Sequence, residues 1–344
     1  MVRGLLPGLM FTAALAMPSS QALAGFGAKT MRADLPAREV ERSLTMAKGW
    51  IEFSLGYDHK LGLGQWNDFG LDGQERGITK WDTARWTRQS EWLTLRWGIA
   101  RRAEFWWKVS FEQAHLKNDA LGTNTRDSSF GDPIFGYRFT ILQQDAPQRS
   151  LVFESWMKFP AGDEGPGTYL GGPLNVSQFV FTTGTTDWYF GLGFKQQLGP
   201  IGLTAHAGYE YRFSGLVQYL IEIDNYQFAG RMKPGDRFRA DVEVLAQLGP
   251  VALIARPELM VRRKTRVGTS SKNVFSNPNL STVEGSGGIE LDIHGEVLIQ
   301  ATRGFDIRLY GSMPVVGEDL MFFPIEDIHR TWGPTFGGAV EVRL

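Results

Sequence analysis

Five histidines, His59, His115, His206, His294 and His329, are the side chains of this sequence best suited to proton transfer near neutral pH. A hydrolase of the serine or acid-assisted kind sets such a histidine beside a serine or a carboxylate. No His-x-Ser or paired acidic motif stands beside a histidine at the end of an alternating segment. His206 and His294 fall inside alternating segments, where a hydrogen-bonded wall residue is the ordinary role. His59 and His115 end such segments and leave a dyad at the segment ends as the one route to a hydrolase. Zero Cys removes thiolate nucleophiles, thiolate metal sites, lipoprotein anchoring and disulfides together. Asp163 and Glu164 stand in a Gly-rich loop without the spaced ligands a divalent cation needs, and no glycine loop for phosphate is present. The sequence predicts no catalytic residue, no metal and no cofactor.

The charge that remains is plentiful and balanced. Across 344 residues, 36 Lys plus Arg oppose 37 Asp plus Glu, and a net charge of -1 gives nucleic acid no attraction. The chain also holds 11 Trp, 9 Tyr, 23 Phe and 41 Gly, yet its mean hydropathy is -0.20. Many large apolar groups in a polar composition imply that the two kinds alternate.

They do alternate, with period two. From Arg237 to Leu248, residues Phe238, Ala240, Val242, Val244, Ala246 and Leu248 share one face, while Arg237, Arg239, Asp241, Glu243 and Gln247 share the other. Val251 to Arg262 and residues 289–300 repeat the pattern. This is the signature of strands with one apolar and one polar face. Runs of about 12 residues suit a tilted crossing of a bilayer, which needs roughly 9 to 11, better than the shorter strands of a periplasmic all-β domain. Trp50, Tyr57, Trp97, Trp107, Tyr137, Trp188, Tyr211 and Trp332 near strand ends suit interfacial girdles.

Turn punctuation sets the strand number. Gln197-Leu-Gly-Pro-Ile-Gly-Leu and Gln247-Leu-Gly-Pro-Val-Ala-Leu nearly repeat each other, and Gly-Pro between alternating runs marks a tight turn. Placing both on the periplasmic side predicts an all-β, antiparallel, up-and-down transmembrane barrel. Its strands fall near 49–58, 89–100, 103–115, 133–143, 150–160, 185–198, 200–213, 237–248, 250–263, 286–301, 304–315 and 331–344. That count is twelve; admitting 176–183 and 216–228 gives fourteen and puts the two repeat turns on opposite sides. In the last run Phe336, Val340, Val342 and Leu344 face outward, like the closing strand read by the outer-membrane assembly machinery.

Residues 1–24 read as a secretory signal peptide cleaved after Ala24, with Arg3, an apolar run and a small-residue end. Residues 25–48 are either a flexible periplasmic lead-in or a plug for the lumen, and residues 49–344 form the barrel. With polar faces inward, the lumen is lined by Arg96, Lys108, Glu112, Arg138, Glu154, Lys158, Glu210, Arg212, Arg239, Asp241, Glu243, Arg256, Glu258, Glu290, Asp292 and Arg308, with Glu296, Glu341 and Arg343. Mixed signs allow either a salt-bridged, occluded core or a pore of weak ion preference, because an unpaired charge away from water is costly. Arg262, Arg263, Lys264 and Arg266 form a cationic cluster that either holds lipopolysaccharide phosphates or is simply a solvated external loop.

Four segments, in order, carry a resemblance. Glu41-Arg-Ser-Leu-Thr-Met-Ala-Lys-Gly-Trp-Ile-Glu-Phe-Ser-Leu-Gly-Tyr57 leads into the first strand, Phe130-Gly-Asp-Pro-Ile-Phe-Gly-Tyr-Arg138 into the fourth, and Lys158-Phe-Pro-Ala-Gly-Asp163 follows the fifth. With Ala207-Gly-Tyr209, they resemble the outer-membrane barrels grouped as the "putative MetA-pathway of phenol degradation" family. The chain departs from that pattern at Ser43, at Ala161 and at Thr183-Gly-Thr-Thr before Asp187. The resemblance implies a barrel related to transporters of small apolar or aromatic solutes in a Gram-negative outer membrane. A structural envelope component with an occluded barrel is the alternative. Lipid, lipopolysaccharide, the assembly machinery and a small-molecule solute are the expected partners.

Overall fold

Twelve antiparallel strands close on themselves, with one extra strand alongside, in the computed structural model. It describes residues 38–66, 78–80, 82, 84–120, 122–145, 148–161, 167–169, 176–179, 181–182, 184–221, 226–269, 281–282, 287–318 and 331–344. Residues 1–24, where a signal peptide and its cleavage site are expected, lie outside them together with residues 25–37, as do Asp163, Glu164 and His329.

The barrel strands are β1 (Ile51–Gly62), β2 (Ala84–Ala100), β3 (Ala103–Asn118), β4 (Ile134–Asp145), β5 (Gln148–Lys158) and β6 (Asp187–Leu198). They continue as β7 (Ile201–Arg212), β8 (Arg237–Leu248), β9 (Val251–Arg262), β10 (Gly288–Thr302), β11 (Phe305–Glu318) and β12 (Thr335–Arg343). Each pairs with its sequence neighbours, and β12 pairs with β1. At that seam Ile51 and Leu344 exchange both backbone hydrogen bonds, at 3.1 and 2.8 Å. Closure leaves no free edge, the condition for a sheet surrounded by hydrocarbon.

All close connections lie at one end. The two Gly-Pro turns join Leu198 to Ile201 and Leu248 to Val251 as two-residue hairpins. Gly199 and Gly249 take φ of 65° and 63°, the left-handed conformation that a two-residue hairpin with glycine first requires. The opposite, loop end builds further sheet. Gly167–Tyr169, Val176–Gln178, Gly215–Ile221, Tyr226–Lys233, Arg266–Thr269 and Ser281–Thr282 form a six-stranded sheet of their own. The segments that would have raised the number to fourteen belong to that sheet and not to the barrel wall, so both repeat turns keep the same end. Thr123–Phe130 pairs with the outer half of β3 and lies on the expected long loop 116–132.

Alternation sorts the two faces. In β9, Leu253, Ala255, Pro257, Leu259 and Val261 are exposed, while Ala252, Ile254, Met260 and Arg262 are buried and Arg256 and Glu258 partly so. Phe53, Trp97, Phe105, Phe139, Trp188, Leu192, Phe194, Phe238 and Leu248 form part of the exposed outer face. Trp50 is an exception among the expected girdle residues: it precedes β1 and is buried, only 3% exposed. Trp332 also departs, because it joins Gly64–Trp66 in a small loop sheet before the last barrel strand begins.

Inside, aromatic rings lie flat on glycines of adjacent strands. Gly56 stands opposite Trp92, Gly136 opposite Trp106 and Gly337 opposite Tyr310, with Tyr189 over Gly191 and Gly208; none of these glycines has room for a Cβ. Trp156 stacks on Tyr189 at 5.1 Å and 11°. Replacing Gly208 by Val drives a methyl group into the Tyr189 ring, and overpacking of this kind costs about 1–3 kcal/mol. The expected outcome is a lowered urea midpoint in the lipid-refolded barrel, partly restored by Tyr189→Leu in the same chain.

Candidate functional site: the barrel interior and its turn-end segment

Strand parity places charged side chains where they must neutralise one another. Near the turn end, Arg138 meets Glu154 at 3.1 Å and Glu104 at 3.7 Å; Arg96 meets Glu104 at 2.8 Å and Glu52 at 3.0 Å. Arg343 continues the chain of pairs to Glu52, Asp306 and Glu341, the last at 2.9 Å. Arg308 then reaches Glu341 at 2.8 Å and Glu296. This lattice runs from β5 through β4, β3, β2, β1 and β12 to β11 and β10.

A second lattice occupies the other half of the wall toward the loop end. Lys158 binds Asp187 at 2.6 Å and Asp132 at 3.4 Å, and Arg212 lies 3.5 Å from Asp187. Glu210 gathers Arg212, Arg237 and Arg239, and Arg239 also reaches Glu258 at 3.7 Å. His294 closes that series 3.4 Å from Glu258, and His206 lies 3.1 Å from Asp241. Asp132 also accepts the Ala161 amide at 3.1 Å, so the Gly-Asp and Lys-Phe-Pro-Ala segments are in contact.

The remaining charged positions have local settings. Arg88 pairs with Glu112, and Lys108 stands 5.0 Å above the Trp92 ring. Lys60 faces Glu290 and Asp292, while Glu243 lies near Arg256. Glu52, Glu104, Asp187 and Asp306, all nearly fully buried, were not among the positions read from sequence, although the alternation of their strands already placed them inward.

Residues 38–50 cross the turn end from inside. Arg42 binds Asp306 at 2.5 Å and Glu39 at 2.6 Å, and Glu39 lies 3.7 Å from Arg308. Lys195 donates to the carbonyls of Glu39 and Arg42 at 3.2 and 2.8 Å, and Gln148 to that of Glu41 at 2.7 Å. The Met46 amide donates to Glu104 at 2.7 Å, and the Thr45 and Thr140 hydroxyls share a hydrogen bond of 2.7 Å. Val40 sits on an apolar patch of Leu245, Ala252, Ile254 and Leu298. A cavity of about 260 Å³ remains beside this segment, lined in part by Thr45, Trp50, Arg96 and Arg343. At the loop end, Phe179 and Phe181 pack on Trp86, Ala114 and Leu116.

Two sequence expectations change. Arg262 ends β9 with an inward, buried side chain, so of the cationic cluster only Arg263, Lys264 and Arg266 are exposed. His59 and His115 form no rim dyad: His59 bonds Tyr57 at 3.2 Å and His115 bonds Asn124 at 2.8 Å, and both project from the outward face of their strands. Among the described residues no cluster of His, Asp and Glu is arranged to hold a metal.

A closed antiparallel barrel with an apolar outside and an ion-paired inside is an outer-membrane barrel by architecture. No protein-family profile matches the chain, and no curated protein matches it in sequence. Among solved structures it is similar to the COG4313 outer membrane channel from Pseudomonas putida F1, with TM-score 0.62 and 9% identity over 89% of this chain and 98% of that one. The translocator domain of autotransporter NalP from Neisseria meningitidis gives TM-score 0.43 at 8% identity, covering 87% of this chain and 89% of that one. The TodX monoaromatic hydrocarbon channel deltaS2 mutant gives 0.41 at 8%, covering 87% and 90%. The first of these shares the fold.

Removing one partner from a buried ion lattice strands the others, a loss of about 3–5 kcal/mol. Arg343→Met removes the cation shared by Glu52, Asp306 and Glu341 and leaves three carboxylates to Arg96, Arg42 and Arg308, so its denaturant midpoint in liposomes is expected to fall far below that of Arg263→Met.

The segment adds a pH dependence. Burial opposes ionisation of the Glu39 carboxyl, but Arg308, Arg42, Arg343 and Lys195 together outweigh it and hold its pKa at about 2. A depressed pKa stabilises the docked segment fully above the ordinary value of 4.5 and loses that contribution as pH falls toward about 2. Amide protection factors for residues 38–46 are expected to stay level from neutral pH to about 4.5 and to fall below it. Unchanged protection at pH ~2.5 would refute this role of Glu39.

Proposed function

We propose that the chain is an outer-membrane channel for small apolar or aromatic solutes, with its turns in the periplasm, its loops outside, and residues 38–50 as a movable stopper of the periplasmic mouth. The observation that carries this reading is the nature of the closure. The turn end holds a separate segment, docked on the wall's own ion lattice by hydrogen bonds, ion pairs and one apolar contact. A purely structural barrel has no need of a removable stopper.

The fold shared with the COG4313 outer membrane channel supports the channel class. Inward, half-buried rings at Trp106, Trp156 and Tyr310 supply aromatic surface for an aromatic solute beside a self-neutralised charge lattice. The sequence segments around Asp132, Lys158 and Tyr209 support kinship with the MetA-pathway phenol-degradation barrels, and the apolar run before Ala24 supports a cleaved signal peptide. The dense ion pairing favours one second reading, an occluded structural barrel of the envelope.

Absence of native cysteine makes a direct test clean. Val40→Cys with Leu245→Cys puts one thiol on the stopper and one on the wall within the same apolar patch, for closure by oxidation or by a short bis-thiol crosslinker. In planar bilayers and solute-loaded liposomes, conductance and uptake are expected to rise in Val40→Asp, to vanish in the oxidised cysteine pair and to return on reduction. A correctly inserted barrel with neither conductance nor uptake in any of these states would defeat the channel reading and favour the structural one.

A further inference from the structure

The outer surface carries a second feature that the channel reading does not use. Above the outward faces of β7, β8 and β9, the apolar band ends in Tyr209, Tyr211 and Phe213, with Phe238 and Val261 exposed beside them. Tyr211 and Phe213 meet edge to face at 4.9 Å. Cations then stand directly on the rings: the Lys233 ammonium 4.2 Å above Tyr211 and the Arg263 guanidinium 6.0 Å from the centre of Tyr209. Lys264 and Arg266 follow on the exposed side of the same loop.

This arrangement is built rather than loose. Asp236 accepts the Tyr209 hydroxyl at 2.9 Å and the Arg212 amide at 3.0 Å, and its carbonyl accepts the Arg263 amide at 2.9 Å. The Gly235 amide donates to buried Thr265 at 3.3 Å, and Gly235 lies so close to the Arg263 carbonyl that a Cβ has no room. Two loops are thereby clamped together with their cations turned outward. The Asp236 carboxylate, 3.5 Å from Lys233, anchors that lysine without covering the others.

Apolar strand surface below and fixed cations above recognise an amphiphile with acyl chains and a phosphorylated head. We propose that Lys233, Arg263, Lys264 and Arg266 form a binding site for the headgroup phosphates of an outer-leaflet glycolipid, whose acyl chains run down Phe213, Phe238 and Val261. Arginine and lysine at the edge of an apolar belt bind phosphate oxygens by charge-assisted hydrogen bonds, and cation–π contacts hold Lys233 and Arg263 in place beforehand. The site lies outside the barrel, so its failure leaves the channel reading intact, and failure of conductance leaves this site intact.

The test uses the full refolded barrel in detergent, with binding read by native mass spectrometry and thermal shift. The probes are bis-phosphorylated lipid A, the same lipid with both phosphates removed, and inorganic phosphate. The variant carries Lys233→Gln, Arg263→Gln, Lys264→Gln and Arg266→Gln. Wild type is expected to bind the bis-phosphorylated lipid at least about tenfold more tightly than the variant does, the equivalent of losing one charge-assisted hydrogen bond. It should also bind the bis-phosphorylated lipid more tightly than the dephosphorylated one, with no displacement by inorganic phosphate. Equal affinity of wild type and variant, or equal affinity for both lipids, overturns the site. Displacement by inorganic phosphate overturns the assignment to lipid and leaves a free-anion site. Should the quadruple variant fail to show the heat-shifted mobility of a folded barrel, the Arg263→Gln, Lys264→Gln pair answers the same question, and Arg263→Lys with Arg266→Lys is expected to retain binding.

Discussion

Closing twelve strands into a ring pairs the backbone along every seam and leaves the barrel wall without an open side, and this closure dictates the rest of the structure. Once the ring is closed, period-two geometry sends each alternate side chain into a narrow interior. Charges there cannot each keep a full hydration shell, so they must meet opposite charges on the next strand. The run of pairs from Glu104 through Arg96, Glu52 and Arg343 to Asp306 is that requirement met strand by strand. Volume obeys the same constraint: bulky inward rings fit only where the neighbouring strand offers a glycine, as Trp92 does over Gly56.

The wall and the turn-end segment are chemically continuous. Arg42 supplies a cation to Asp306, and Glu39 supplies a carboxylate to Arg308, both of which also serve the wall lattice. Val40 meanwhile covers inward apolar residues that would otherwise face water at the mouth. The segment therefore completes an interior that the strands alone leave short of partners.

Much of the barrel was legible in the sequence because strand parity and turn chemistry are local. The repeated Gln-Leu-Gly-Pro turns fixed an end for each hairpin, and alternation in 237–248 and 251–262 gave the faces. What escaped depends on contacts distant in sequence. Trp50 has the composition of a girdle residue but ends a segment whose docking is decided by Glu104, Thr140 and Lys195, some 58 to 156 residues away from their partners. The strands of the loop-end sheet pair with one another across long gaps, so 216–228 reads as a barrel strand until its partners are known. Arg262 fell on the wrong side of a boundary of a single residue, where the strand's parity and the cationic cluster overlap.

Because the segment's charges are also counterions of the wall, displacing it does more than clear a path. It leaves Asp306 without Arg42 and Arg308 without Glu39 at the newly opened mouth. Hydration must then supply what the segment took away. In the channel we propose, permeation and selectivity at that mouth would be set by a single movement, and a solute would meet a charge pattern that the docked state never displays.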